Sequence, residues 1–357
     1  MTVTTQMLGQ IAELDEFKGS WSLLVHLRPE QLTRLKKVAA IESIGSSNRI
    51  EGNKLSDSEV EKILSGINKT SFRDRDEAEI AGYAHLMDTI FENYELIPLS
   101  ENYIKQLHQI MLKPMGKDER HRGKYKKLPN SVAAFDSGGK EIGIVFETAS
   151  PFETPRLMEE LVEWTRKNLE DPFLHPLLVT GVFIVHFLAI HPFQDGNGRL
   201  SRALTTLLLL KKGYAYIPYS SIESIIETNK EAYYRALRRT QKNIWTGKVD
   251  YEPWLSFFLS TLQKQKRHLE EKLNSIKQDE SADLTSGASQ ADLKLSRTAL
   301  SVLQLFEKKA QWTSAEIADT LLLNIETAKK VVKSLADAGY LAKHGTTRGA
   351  WYEKPKK

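Results

Sequence analysis

The 357-residue chain is 41 % hydrophobic and 9 % aromatic, ordinary composition for two or three globular domains. It contains no cysteine, which excludes disulfides, thiolate metal sites and cysteine nucleophiles. The net charge of +4 is unevenly placed: twelve Lys/Arg face six Asp/Glu from Lys294 onward, leaving the first 293 residues near −2.

The opening stretch MTVTTQMLGQIAELDEF lacks the charged-then-apolar layout of a signal peptide. The longest apolar runs, around Leu177–Ile190 and Leu204–Leu210, fall short of a membrane span. A soluble, cytoplasmic, non-membrane protein is expected. Pro29-Glu30-Gln31 opens an amphipathic stretch with Leu32, Leu35, Val38, Ala39 and Ile41 at helical spacing. SNRIEGN at Ser47–Asn53 then reads as a helix end at Gly52; it is no P-loop, since both the glycine spacing and the residue after Lys54 are wrong. Ser56-Asp57-Ser58-Glu59 supplies a cap for the next helix. Helical patterns follow around Asp76–Tyr94 and Ser100–Leu112. SVAAFDSGGKEIGIVFE, Ser131–Glu147, breaks that rhythm with two short apolar runs around Asp-Ser-Gly-Gly, the mark of a β-hairpin.

Further helices are expected at Thr154–Leu169, Pro176–Ile190, Arg199–Lys212 (stopped by Gly213), Lys230–Asn243 and Pro253–Lys277. IKQDESADLTSGASQAD, polar and without periodicity, reads as a linker. Beyond it come a helix at Thr298–Phe306, a capping box at Thr313–Glu316, a helix at Asn324–Ala338 stopped by Gly339, and a tail that reads as two strands around a turn. That order resembles a winged helix-turn-helix. Lys329, Lys330 and Lys333 on its second helix, with Lys343 and Arg348 in the wing, make duplex DNA one partner to consider and a protein contact through a solvated basic face the other.

The densest stretch is HPFQDGNGRLSR at His191–Arg202. Gly196 and Gly198 permit backbone angles that bulkier residues resist, and a loop of this type opening a helix aims consecutive N–H groups at one point. The result is a seat for phosphate on the positive end of a helix dipole. Arg199 and Arg202, three residues apart, share a helix face and can clamp further anionic oxygens. Asp195 offers a hard oxygen for Mg²⁺. His191 is the one nearby group able to take a proton near neutral pH. The plain alternative is a glycine turn between two core helices whose charges face water; a base, an acid, a nest and two arginines in order weigh against it. His186 lies five residues earlier, which is not metal spacing, and is expected to be a core histidine. The remaining histidines, among them His108 and His175, show no partner at ligand spacing.

HPFQDGNGRLSR matches, at every defined position, the pattern H-P-F-x-[DE]-G-N-G-R-x-x-R, and on that ground the chain is similar to the Fic family from about Leu14 to Lys277. The resemblance implies a mainly α Fic-fold core with a β-hairpin flap, the winged helix being a common attachment. It implies transfer of AMP from ATP to a Ser, Thr or Tyr hydroxyl of a target protein, self-modification included. His191 would be the base, and Phe193 would anchor the loop. Asp195 would hold Mg²⁺ between the α- and β-phosphates. Gly196, Asn197 and Gly198 would cradle those phosphates through backbone N–H groups and the Asn197 side chain. Arg199 would stabilise the leaving pyrophosphate, and Arg202 would bind the γ-phosphate. The hairpin would align the target by strand addition. ETNKEAYYRAL would border the nucleobase, making Asn229 and Tyr233 candidates. Ser47, Glu51 and Gly52 fit the inhibitory pattern [ST]-x-x-x-E-[GN], in which the glutamate pairs with the second motif arginine, here Arg202.

The expected organisation is a regulatory helical segment at 1–95, a catalytic core at 96–275, a linker at 276–292 and a winged helix at 293–357. Two rival readings stay open: other nucleotidyl transfer or removal of AMP at the same site, and a DNA-binding regulator whose site senses nucleotide. Homodimer formation is left open as well.

Overall fold

The computed structural model describes the chain apart from residues 26–28, 67–71, 116–119, 136–140, 286–296, 322, 338, 346–349 and 356–357. The chain divides into two compact units, Met1–Asn274 and Ser275–Lys357. The first is mostly helical: α1 Thr5–Val25, α2 Pro29–Ile50, α3 Asp57–Ser65, α4 Arg75–Asn93, α5 Glu101–Leu112, α6 Thr154–Glu170, α7 Pro176–Ile190, α8 Asn197–Lys211, α9 Ile222–Thr228, α10 Lys230–Gln241 and α11 Glu252–Thr285. Strands β1 Ser131–Phe135 and β2 Glu141–Glu147 pair antiparallel, Ser131 opposite Glu147 and Phe135 opposite Glu141. The Asp-Ser-Gly-Gly turn expected between them lies outside the described residues.

At the centre, α7 and α8 pack against each other, with α6 and α10 on α7, and α4, α5 and α2 on α8. α7 is apolar around nearly its whole circumference from Leu177 to Ile190, and α8 is buried from Arg199 to Leu210 although it carries Ser201, Arg202, Thr205 and Thr206. A helix apolar on every side must be buried on every side, so the pair is a rigid post on which the connecting loop, residues 191–196, is mounted. α1 was not among the expected helices. Its Met7, Ile11, Leu14, Phe17 and Trp21 are buried at helical spacing, and Tyr214 and His175 both bond Asp15, at 2.6 and 2.9 Å. The hydrophobic stripe was legible, but interspersed glycines and acids blurred its limits.

The second unit contains α12 Arg297–Lys308, β3 Gln311–Thr313, α13 Ser314–Thr320, α14 Ile325–Asp337, β4 Ala342–His344 and β5 Trp351–Glu353. Thr313 caps α13, accepting from the Glu316 N–H at 3.2 Å while Glu316 accepts from the Thr313 N–H at 2.8 Å. Strand β3 was not anticipated; it completes an antiparallel sheet in the order β3-β5-β4. Arg348, assigned to the wing, lies outside the described residues, and Lys329 forms an ion pair with Glu326 at 2.8 Å. Within the linker expected at 276–292, residues 276–285 continue α11, and the rest lies outside the described residues.

Val302, Leu305, Ile317, Val332, Leu335 and Tyr352 give the second unit its own core. A fragment spanning residues 292–357 is therefore expected to fold alone, seen as a cooperative thermal transition in circular dichroism; a featureless, non-cooperative signal would refute an independent domain.

Candidate active site

His191 follows the last turn of α7 and adopts a left-handed backbone conformation, φ 52° and ψ 59°, with its N–H donating to the Phe187 carbonyl at 2.9 Å. It is the one described non-glycine residue with positive φ. A bulky side chain is strained there, and strain of this sort persists where surrounding structure over-determines it. Its Nδ1 lies 3.3 Å from the Leu188 carbonyl, which assigns the proton to Nδ1 and leaves Nε2 with a free lone pair. Burial pulls its pKa down to about 4, and the Lys126 ammonium acts in the same direction. The imidazole is thus neutral at physiological pH, the form a general base needs.

The loop turns at Gly196, where φ is +79° and a Cβ would meet the Met111 methyl at 2.6 Å. Gly196 caps α8, and by helical geometry the N–H groups of Asn197, Gly198 and Arg199 have no intrahelical acceptor. The Gly196 N–H is instead taken by the Asp195 carboxylate at 2.7 Å. Asn197, expected to touch phosphate through its side chain, is buried and directs that side chain inward: its amide oxygen accepts from the Phe193 N–H at 2.9 Å and its amide nitrogen donates to the Phe193 carbonyl at 2.7 Å. Its side chain shapes the loop, while its backbone N–H, in the first turn of α8, is left without an intrahelical acceptor.

Phe193 is fully buried and stacks on His108, ring centroids 3.8 Å apart. His108 accepts from the Gly123 N–H at Nδ1 and meets the Asp195 carbonyl at Nε2, each at 3.0 Å, so it braces the loop from beneath.

Both motif arginines are held in place. Arg202, 4 % exposed, donates Nε to Ser47 Oγ, and Nη2 to the Ser47 carbonyl and to Glu51 Oε1, all at 2.8 Å. Arg199 reaches Asn48 Oδ1 and Glu79 at 3.4 Å and Asp195 at 3.6 Å. Arg202 Nη1 and Arg199 Nε are buried donors with no hydrogen-bond partner among the described residues. Such groups are costly to leave unmade, and both are suited to oxyanions.

The second contact of Glu51 is with the helix terminus. Its carboxylate approaches Gly198 so closely that any Cβ there would collide with it. It therefore sits both on Arg202 and against the N-terminus of α8, where an anion is stabilised by the exposed N–H groups and the helix dipole. Burial alone would raise its pKa, but Arg202, Arg199 and His191 hold it below the usual carboxylate range. Gly52 forms the turn after α2, with φ +100°. Arg49 anchors the end of that helix, clasping Glu227 of α9 at 2.7 and 3.0 Å and Asp57 at 2.9 Å.

The structure thus brings together His191, Asp195 to Arg202, Ser47 and Glu51. Tyr233 joins them from behind: with Arg202, Trp254 and Phe257 it lines a cavity of about 20 Å³, room for one water molecule. Asn229 sits at the junction of α9 and α10, where its amide donates to the Ile225 carbonyl at 2.8 Å. Sequence reasoning missed Asn48, Glu79, Arg75, His108, Lys126 and Asn130, each of which also has a partner far away in the chain that leaves no spacing signal.

Mg²⁺ was expected at Asp195. Its carboxylate is 43 % exposed and ion-paired with Arg75 at 2.8 Å, and no cluster of three or more candidate ligands occurs among the described residues. One hard oxygen at the rim of an anion site fits Mg²⁺ only in company with phosphate oxygens, the usual manner of Mg²⁺–nucleotide binding.

Three histidines, His108, His186 and His191, are pulled from 6.5 to about 4 by burial. His186 bonds Tyr251 at 2.7 Å, as a core histidine should. Between those pH values the unfolded chain binds protons that the folded chain refuses, so stability is full above about 6.5 and declines as pH falls towards 4. The urea midpoint is expected to drop between pH 7 and pH 5, and to drop less in His186→Phe; an unchanged slope would contradict the burial assignment.

A model of the Fic/DOC family matches residues 98–209. Among curated relatives, the protein adenylyltransferase Fic of Drosophila willistoni is 26 % identical over 257 residues, 71 % of this chain and 46 % of that one. A probable protein adenylyltransferase of Aquifex aeolicus is 29 % identical over 109 residues, 30 % of this chain and 33 % of that one. The chain spans about half or less of the length of these relatives. Among solved structures, a Fic family protein from Desulfovibrio desulfuricans G20 aligns over 100 % of this chain and 98 % of its own, at a TM-score of 0.61 and 21 % identity. A Fic-domain signalling protein from Bacteroides thetaiotaomicron aligns over 74 % of this chain and 97 % of its own, at a TM-score of 0.59 and 24 % identity. Those likenesses establish the fold. No helix among the described residues is long and apolar enough to cross a membrane.

Proposed function

We propose that this chain, whose residues 98–209 match the Fic/DOC family, transfers AMP from ATP to a hydroxyl side chain of a protein, itself included, and that Glu51 restrains the reaction. What supports this reading most is His191, strained and neutral, with Nδ1 committed to Leu188 and Nε2 free, immediately ahead of a helix N-terminus with arginine donors buried and unpartnered among the described residues. A target hydroxyl gives its proton to His191 Nε2 as its oxygen attacks the α-phosphorus. The new O–P bond forms as the α–β phosphoanhydride bond breaks, and pyrophosphate leaves. The N–H groups at the start of α8 and the Arg199 guanidinium stabilise charge on the phosphates, and Arg202 holds the γ-phosphate. Mg²⁺, held through Asp195, would supply charge neutralisation at the phosphates. The flap, β1 and β2, would align the target by adding it as a strand.

Glu51 contacts Arg202 and lies against Gly198; with Arg202 read as the γ-phosphate clamp, its carboxylate takes the seat of the terminal phosphate. Glu51 must therefore be displaced before ATP binds productively. Intact-mass measurement after incubation of the Glu51→Gly protein with ATP and Mg²⁺ tests the activity: a gain of one AMP is expected, and an unchanged mass under conditions where ATP binds would refute self-modification.

A further inference from the structure

We propose that Lys126 is a positioning residue that locks both roots of the β1–β2 flap to the loop carrying His191, so that a target's hydroxyl and the base keep a fixed separation. The inference rests on the functional reading above, with the flap as target platform and His191 as base.

Lys126 is 3 % exposed. Among the described residues its ammonium forms no ion pair with a carboxylate. It donates instead to Asn130 Oδ1 at 2.8 Å, Thr148 Oγ1 at 2.8 Å and the Ile190 carbonyl at 2.9 Å. Three acceptors match the three hydrogens of an ammonium group. Their positions give the arrangement its meaning. Asn130 immediately precedes β1, Thr148 immediately follows β2, and Ile190 is the last residue of α7, adjoining His191.

Secondary contacts close the same circuit. The Asn130 amide donates to the Phe193 carbonyl at 2.9 Å and reaches the His191 carbonyl at 3.4 Å. The Thr148 hydroxyl donates to the Asn130 carbonyl at 2.7 Å, tying one root of the flap to the other. The Lys126 N–H donates to the Pro192 carbonyl at 2.8 Å, and the Ala149 N–H to the Ala189 carbonyl at 3.3 Å. Every element that would touch the target or take its proton is joined at this one cation.

Burying an ammonium beside neutral acceptors is expensive, and here burial lowers its pKa to about 8. A hydrophobic residue of similar length would avoid that cost, but could not join three carbonyl and hydroxyl oxygens. The cation also stabilises the carbonyl end of α7, the negative pole of that helix. A strand added to the flap would thus inherit its height above His191 from Lys126, which makes the lysine a determinant of which hydroxyl along a bound segment is reached.

Amide hydrogen exchange on the full chain, with Lys126→Met and Thr148→Val beside wild type, tests this. Thr148→Val removes one acceptor of the lysine and the hydroxyl's own bond to Asn130, while keeping the cation and the volume. Both variants are expected to accelerate exchange in β1 and β2 by about tenfold, with α7 and α8 unchanged. In the Glu51→Gly background, both are expected to lower kcat for self-modification while KM for ATP stays within about twofold. Flap exchange at the wild-type rate in Lys126→Met, or exchange raised equally through α7 and α8, would overturn the proposal. The two readings separate cleanly. Selective flap loosening in a protein that never transfers AMP supports the lock and refutes the activity; AMP transfer with a flap indifferent to Lys126 does the reverse.

Discussion

Alanine at His191 is expected to lower AMP transfer by about a hundredfold to ten-thousandfold, the usual worth of a positioned general base, while ATP affinity changes little. The two effects part because the phosphate seat is built from other groups. The N–H groups at the head of α8 belong to the backbone, and Arg199 and Arg202 are held by Asn48, Glu79 and Ser47. The left-handed turn at residue 191 is less costly for alanine than a rearranged loop, since Asn197 clamps Phe193 independently. Isothermal titration of ATP in the Glu51→Gly background, beside initial rates, checks both halves. Because burial holds His191 near pKa 4, the base should stay neutral and transfer by the intact enzyme should be insensitive to pH between about 6 and 7, below the pKa of about 8 at which Lys126 gives up its proton. Transfer at the normal rate without His191 would remove the histidine from the chemistry.

Replacing Glu51 with glycine is expected to raise transfer by about tenfold or more, since each decade corresponds to about 1.4 kcal/mol. The carboxylate holds two attractions at once, a 2.8 Å ion pair with Arg202 and the positive end of α8. A γ-phosphate competes for the same guanidinium, because carboxylate and phosphate both fit its fork. Breaking a buried pair by deleting one partner ordinarily costs about 3–5 kcal/mol. Here the cost is smaller: Glu51 is one-third exposed, Arg202 retains both Ser47 contacts, and bound ATP supplies a replacement partner. Arg202→Ala should fail to activate, because it frees the site and removes the clamp together. Initial rates for wild type, Glu51→Gly and Glu51→Gly/Arg202→Ala decide the matter. Equal rates for the first two would reduce SNRIEGN to a helix end.

The loop from His191 to Arg202 was legible in the sequence because its geometry is local. A glycine that must take positive φ, a helix N-terminus and arginines one turn apart are all encoded within twelve residues. The flanking helix α7 was legible for a similar reason, since it is apolar on nearly all sides. What was not legible depends on distant partners. His108 reads as an isolated histidine until Phe193 stacks on it, and Lys126 has no motif around it to mark it out before three oxygens surround it. Asn197 shows the limit within the motif itself: its presence was evident, but whether its side chain faced ligand or loop depended on the position of Phe193. Residues 276–285 make a further case, because a polar segment without periodicity can still continue a helix already begun.

The central claim is that the α-phosphorus, rather than the γ-phosphorus, is the centre attacked. Parallel incubation of Glu51→Gly with ATP labelled at the α- or the γ-phosphate tests it most directly, with Glu51→Gly/His191→Ala as the control. The account predicts protein-bound label from α-labelled ATP, none from γ-labelled ATP, and neither in the control. Label arriving from the γ-position alone would make the protein a phosphotransferase and contradict the account.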